Sequence, residues 1–479
     1  MPRIDVPART MRIKAIAAFV GAALALASGA AAAHAGERGF VMLLPTGLYI
    51  AGGALAVAFS FAVLAAVPSR AFQALVGFRR PLADFGHGPG LWPSAASLVL
   101  LGLLVAAGYT GTRDPLENPL PPFIWSLWWV GFTFAVAVLG DLWSFLNPWR
   151  ALHRIACLLP GLARWRERPP FAYPVWLDAW PAVAAYFAFA WFELIYPAPF
   201  DPTILALACG GYALVTLAAM LLFGAEAWLA GGEAFSVFFR VVGWLAALRL
   251  EARGLALAIP CRGLIDAGAL SRSLAAFVLL ALASVSFDGL SRTFWWLDLI
   301  GENPLEHPGR SVLVARNTLG LVATWLALLA VYAAAVRAGR TIAARACAGE
   351  GFGRNVAAIV PIAFGYHFAH YLPAFLLDGQ HALRALADPF GQGWNLTGMR
   401  DWHVSASILT DHDAVLALWN LQVAVIVLAH VAAVFVAHAI ALREHGNPRT
   451  ALISQAPMTL LMVGYTVLGL WLLSTPVAG

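Results

Sequence analysis

Long apolar stretches alternate with short polar ones along the whole chain. Windows near 45–67, 92–110, 119–140, 175–196, 203–224, 273–287, 317–336, 356–377, 414–440 and 451–473 hold almost no charge. A helix rises 1.5 Å per residue, so about 20 apolar residues cross the ~30 Å hydrocarbon layer of a bilayer. All the windows but the sixth reach that length, and the sixth leans on Trp295 and Trp296 just beyond it. The pattern predicts an all-α, polytopic membrane bundle of about ten transmembrane helices.

Two connecting segments are longer than connection needs. Residues 225–272 contain the stretch 232–240, which suits an amphipathic helix lying on the inner membrane surface. Residues 378–413 mix Pro, Gly, Asp and His and suit a cap over the outer mouth of the bundle. Ahead of the first window, residues 1–35 read as a secretory signal. Met11, Arg12 and Lys14 open a basic region, 15–27 is apolar, and small residues follow to Ala35. Met11 is an equally good start. Cleavage after Ala35 or after Ala33 satisfies the small-x-small rule; the second leaves His34 as a mature N-terminus able to grip copper. The plainer reading discards His34 with the signal. What remains, 36–479, reads as one integral membrane domain.

Composition agrees with lipid as the main solvent: 61% of residues are apolar and only 11% charged, against roughly a quarter charged in soluble domains. The formal charge of +5 does not point to nucleic acid, because the arginines lie in short blocks between apolar windows. They crowd the segments around 79–80, 150–168, 240–272 and 337–354, whereas the alternate segments hold isolated ones such as Arg38, Arg113 and Arg400. By the positive-inside rule the crowded segments are cytoplasmic and both mature termini are outside. Cys157, Cys209, Cys261 and Cys347 never approach a C-x-x-C spacing, so neither a disulfide framework nor a zinc ribbon is expected.

Ionisable residues inside apolar windows are costly and point to function by default. His367 and His370 stand three apart, which on a helix puts both on one face about 5–6 Å apart, near enough to chelate one ion. Tyr366 and Tyr371 flank them. His430 sits deep in the ninth window and joins the pair if the two helices cross suitably. His438 is about 12 Å away along that helix and cannot share its ion; headgroups, a second cofactor or Asp141 are its expected partners. The bland alternative is histidines bonded to neighbouring helices. Glu193 and Asp288 mark the outer ends of two windows, with Asp378, Asp388, Asp401, Asp411, His412 and Asp413 in the outer segment. A rim carboxylate is ordinarily just solvated, but carboxylates converging above an imidazole pair build hydrolytic metal sites. On the inner side, Asp141 and Arg150 are placed to pair, with Asn147 before Pro148 making a turn. The tryptophans Trp125, Trp128 and Trp129 fit an interfacial belt.

Several blocks resemble a family of multi-pass bacterial membrane proteins called fenitrothion hydrolases. They are the octapeptide from Asp114 to Pro121, Gly140-Asp141 through Asn147-Pro148-Trp149, Gly232-Glu233-Ala234-Phe235-Ser236, Phe287-Asp288-Gly289, Ala369-His370-Tyr371 and His430 through His438. The resemblance runs from the signal segment to the ninth window. It implies the bacterial inner membrane, cleavage of an aryl phosphotriester bond, an apolar small-molecule substrate and a partner subunit; it assigns no catalytic residues.

Three functions are expected from these features. In a metal-assisted hydrolase, His367, His370 and His430 hold zinc or copper, and Asp288 or Glu193 orients or deprotonates a water. In a redox or metal-handling protein, His34, His370 and His430 serve copper or haem. In an ion-coupled transporter or permease, the same histidines and acids form a relay, although neither duplicated halves nor paired broken helices are visible.

Overall fold

The computed structural model describes residues 46–86, 90–251, 254–303, 309–343, 351–445 and 447–475. The expected signal segment, His34 and Cys347 lie outside the described residues. The ten windows all become helices: α1 (Thr46–Ala66), α3 (Trp92–Thr110), α4 (Leu120–Leu139), α6 (Trp180–Leu194), α7 (Pro202–Phe223), α9 (Arg272–Ser291), α10 (Arg310–Ile342), α11 (Gly351–Ala385), α12 (His412–His445) and α13 (Pro448–Ser474). Among the described residues nine are long and apolar enough to cross a membrane. The chain is a multi-pass, all-helical membrane bundle.

Which helix is short differs from expectation. The sixth window grows into α9, 20 residues, because Ser271 caps its start at Leu274 N and the chain stays helical through Asp288 to Ser291. The fourth window shrinks to α6, 15 residues, about 22 Å at 1.5 Å per residue. Pro181 opens that helix and Asp178, at φ 39°, turns the chain into it.

Helix starts follow local chemistry. Asp201 accepts bonds from Thr203 N and Ile204 N ahead of Pro202, and Asn147 accepts one from Trp149 N ahead of Pro148, which opens α5 (Pro148–Ala156). Proline loses nothing at a first turn whose N–H has no helical acceptor. Helix α9 is apolar on every side and buried on nearly every side, as a helix without a polar face must be. It packs against α6, α10, α11 and α13; α11 packs on α4 and α12, and α13 on α1 and α12.

Between α1 and α3 lie α2 (Ser69–Gly77) and β1 (Arg79–Asp84). After α7 come α8 (Ala234–Gly243), β2 (Leu248–Glu251) and β3 (Gly254–Ala258). The strands form a small antiparallel sheet, ordered β1-β3-β2, with a register shift between Pro81 and Ala83 where proline has no N–H to give.

Three expectations are corrected here, the first by helix α8. It does not lie on the membrane surface but is buried, with Val237 and Phe239 fully enclosed. Apolar side chains surround it, leaving only a narrow polar stripe of Ser236 and Arg240, so it hides rather than floats. Its packing partners include α4 and α6, and Trp128 on α4 meets Phe235 at 4.6 Å. Trp125 and Trp129 are likewise buried inside the bundle, not placed in an interfacial belt. Arg150 does not pair with Asp141; it reaches Glu226 at 2.5 Å.

Candidate functional site

Four helices bring their polar residues to one end of the bundle. Asp288 sits in the last turn of α9, Glu193 in the last turn of α6, His370 and Tyr371 midway along α11, and Arg310 at the start of α10. Asp288 is 2% exposed. One of its oxygens, Oδ2, lies 2.7 Å from His370 Nε2, and the other accepts a bond from Arg292 Nη2 at 3.0 Å. Arg292 stands four residues after Asp288 on the same face, where an ion pair forms naturally. A carboxylate held by a guanidinium stays ionised and can only accept, so the imidazole donates its Nε2 proton to Asp288. That fixes the tautomer. Nδ1 is then the basic nitrogen, without a hydrogen-bond partner among the described residues, on a side chain that is 29% exposed.

Tyr371 joins the rest. Its hydroxyl faces both Glu193 and Asp288, and its ring meets His370 at 4.8 Å and His367 at 4.9 Å. The Glu193 carboxylate lies within electrostatic reach of Asp288 and Arg292. Arg310 Nη1 donates to the Glu193 carbonyl at 2.9 Å, adding positive charge beside the two acids. The arrangement is a buried carboxylate fixing a partly exposed imidazole, with a second carboxylate, a phenol and two guanidiniums around it. It can take, hold and return a proton.

The two histidines three apart on α11 share a helix but not a ligand point. His367 is buried among rings, 4.9 Å from Trp129, and its Nε2 has no hydrogen-bond partner. It lines a cavity of about 30 Å³ with Tyr186, Ser284 and Tyr371, room for about one water. His430 is fully buried and donates Nδ1–H to the Ile426 carbonyl at 2.8 Å within its own helix, with Tyr366 as its ring neighbour at 6.1 Å. The three imidazoles expected to hold zinc or copper therefore point to three different surroundings. Among the described residues no three His, Cys, Asp or Glu side chains stand in metal-binding proximity. His438 is buried too, accepting from Gln455 Nε2 at 3.3 Å and packing on Phe72 at 5.0 Å, so its partners are these and not Asp141.

Two of the acids in 378–413, Asp388 and Asp411, serve local backbone N–H groups. Asp388 accepts from Gln392 N at 2.8 Å and Gly393 N at 2.7 Å, and Asp411 caps Ala414 N at 3.0 Å. Cys157, Cys209 and Cys261 are free thiols. Sequence reading singled out Glu193, Asp288, His367 and His370 but missed Arg292 and Arg310. The Asp288–Arg292 spacing carries the signal for the first; nothing local announces the second, which arrives from another helix. Comparison with models of known families, with curated proteins and with solved structures finds no match for this chain.

Proposed function

We propose that this membrane protein is a hydrolase whose acid–base centre is His370, with Asp288 orienting the ring and Glu193 and Tyr371 completing the site. The observation that carries the reading is the pairing of a buried Asp288 with a partly exposed His370 at 2.7 Å. A ring held this way keeps its basic nitrogen turned outward and gains a stabilised positive charge once protonated. Apolar phosphotriesters, the substrate class implied by the family resemblance, dissolve in the bilayer and reach such a site sideways. Water adds to phosphorus while its proton passes to His370 Nδ1. The P–O(aryl) bond breaks, and the phenolate leaves with that proton returned. Arg292 is the cation placed to offset charge on the phosphoryl oxygens.

The test is turnover of a chromogenic nitroaryl phosphotriester by detergent-purified protein. General-base removal typically costs 10²–10⁴-fold, so His370→Ala loses about that factor while eluting as folded protein, and Asp288→Asn loses nearly as much. Wild-type turnover in a folded His370→Ala protein refutes the reading.

A second reading rests on the cavity beneath Tyr371. With His367, Tyr186 and Ser284 on its wall, a water there extends the centre into the bundle, as a proton-coupled transporter requires. Proteoliposomes carrying a pH gradient distinguish it: this reading needs a proton flux abolished by Asp288→Asn, with no phosphotriester turnover.

A further inference from the structure

A second polar chamber lies where other helix ends meet, and the His370 centre makes no use of it. Asp141 follows the last residue of α4 by two positions, and Glu226 follows that of α7 by three. The chamber thus sits where spanning helices give way to the headgroup layer. It encloses about 190 Å³ and is walled by Asp141, Ser144, Asn147, Arg150, Glu226 and Arg240. Charges of both signs are fixed around one space.

Their pairing is incomplete. Arg150 meets the mostly exposed Glu226 at 2.5 Å, yet its Nε is buried with no acceptor. Asp141 lies within electrostatic reach of Arg240 and Arg150 but makes an ion pair with neither among the described residues. Its carboxylate takes backbone N–H bonds from Ser144, at 3.1 Å, and Trp143, while Arg240 gives one N–H to the Ala230 carbonyl at 2.8 Å. The floor beneath them is rigid. Glu233, 1% exposed, caps α8 by accepting from Phe235 N at 3.1 Å and Ser236 N at 2.7 Å, and takes the Tyr212 hydroxyl as well. Asn147 Nδ2 donates to Ser236 Oγ at 2.9 Å, locking the side wall to that floor.

Two guanidinium forks suit the oxygens of a phosphate, and a separate carboxylate suits a compact ammonium. A simple anion would leave Asp141 facing it as a like charge. A zwitterion satisfies both halves.

We propose that this chamber binds an aminophosphate head group, its phosphate ester against Arg150 and Arg240 and its primary ammonium against Asp141. A phospholipid of the phosphatidylethanolamine type and a soluble phosphoethanolamine both carry that chemistry. Depth favours the lipid, because the chamber lies just beyond the ends of α4 and α7, at headgroup level.

Thermal unfolding of the full-length protein in detergent decides it, with phosphatidylethanolamine, phosphatidylglycerol, phosphatidylcholine, phosphoethanolamine or inorganic phosphate added. Phosphatidylethanolamine raises Tm in a concentration-dependent way; phosphatidylglycerol, phosphatidylcholine and inorganic phosphate do so far less. A matching rise with phosphoethanolamine assigns the soluble source, and a rise with the lipid alone assigns the membrane. Asp141→Asn and Arg240→Gln each weaken apparent affinity about tenfold or more, the loss of one charge-assisted bond. Asp141→Asn is isosteric, so its result stands even where Arg240→Gln folds poorly. Equal stabilisation by phosphatidylglycerol, undiminished binding by Asp141→Asn, or no shift with any of the five overturns the proposal.

Discussion

At the scale of single residues, what matters is how each charge is compensated. Asp288 is stabilised by one imidazole and one guanidinium. Asp141 is the opposite case. Its burial raises the carboxyl above the ordinary carboxylate range, and the Ser144 N–H, Arg240, Arg150 and the Trp143 N–H only partly offset that. A carboxyl whose folded-state pKa is raised gives stability that is full below its unfolded value and lost as pH rises through the folded one. Asparagine keeps the capping oxygen and sheds the charge. Asp141→Asn is therefore expected to melt above wild type at pH 7, the gap closing as pH falls toward about 4, where Asp is protonated. Melting curves across that range check the sign; a gap that widens toward acid contradicts it. The types of these residues were legible in sequence, and the four-residue spacing of Asp288 and Arg292 carried a pairing signal that went unread. Which partner each one found was not legible: Arg150 meets Glu226, brought from beyond α7, while the nearer-in-sequence Asp141 takes backbone N–H groups of its own turn.

At the scale of elements, helix contacts are set by small residues that let backbones approach. Gly365 lies where α11 crosses α12, and a Cβ there would collide with the Ala429 methyl. That crossing also fixes the rotation of α11, and with it the aim of His370 toward Asp288. Overpacking of this kind costs about 1–3 kcal/mol, so Gly365→Ala is expected to lower Tm and weaken phosphotriester turnover together. Unchanged Tm and unchanged turnover show that α12 yields freely. Helix positions were read from apolar windows with good agreement. Lengths were not, because α9 runs on through Asp288 to Ser291 and Pro181 opens α6 well inside its window. The burial of α8 was also missed. Its apolar residues encircle the axis, and a surface helix and a buried one differ there by a single polar stripe.

At the scale of the whole molecule, contacts between helix ends reveal the path of the chain. The end of α6 meets the start of α10 through Arg310 and Glu193, and the start of α9 meets that of α11 through Leu270 N and Gly353 O at 3.1 Å. The loop after α3 touches the loop after α11 where Gly111 faces Pro389. These meetings require an even number of crossings between the joined ends, so α6 counts as a crossing despite its 15 residues. The sheet and the Asp141 chamber then share one face, and the His370 centre the other. Positive-inside bias predicts that the sheet face is the cytoplasmic one. In a cysteine-free background, Trp394→Cys is expected to react with an impermeant maleimide on intact cells, and Arg80→Cys only after lysis; the reverse pattern inverts the orientation.

Sequence alone determined that this chain dissolves in lipid as helices, since apolar length and scarce charge leave it no other solvent. It also placed the chemistry-bearing side chains within those helices, since burying an ionisable group without a use is costly. Only the tertiary structure decided which of them meet. Helix rotation and crossing turned His370 to Asp288, His367 to Trp129 and His430 to its own backbone, because a side chain's direction follows the packing of whole helices, which no local spacing encodes.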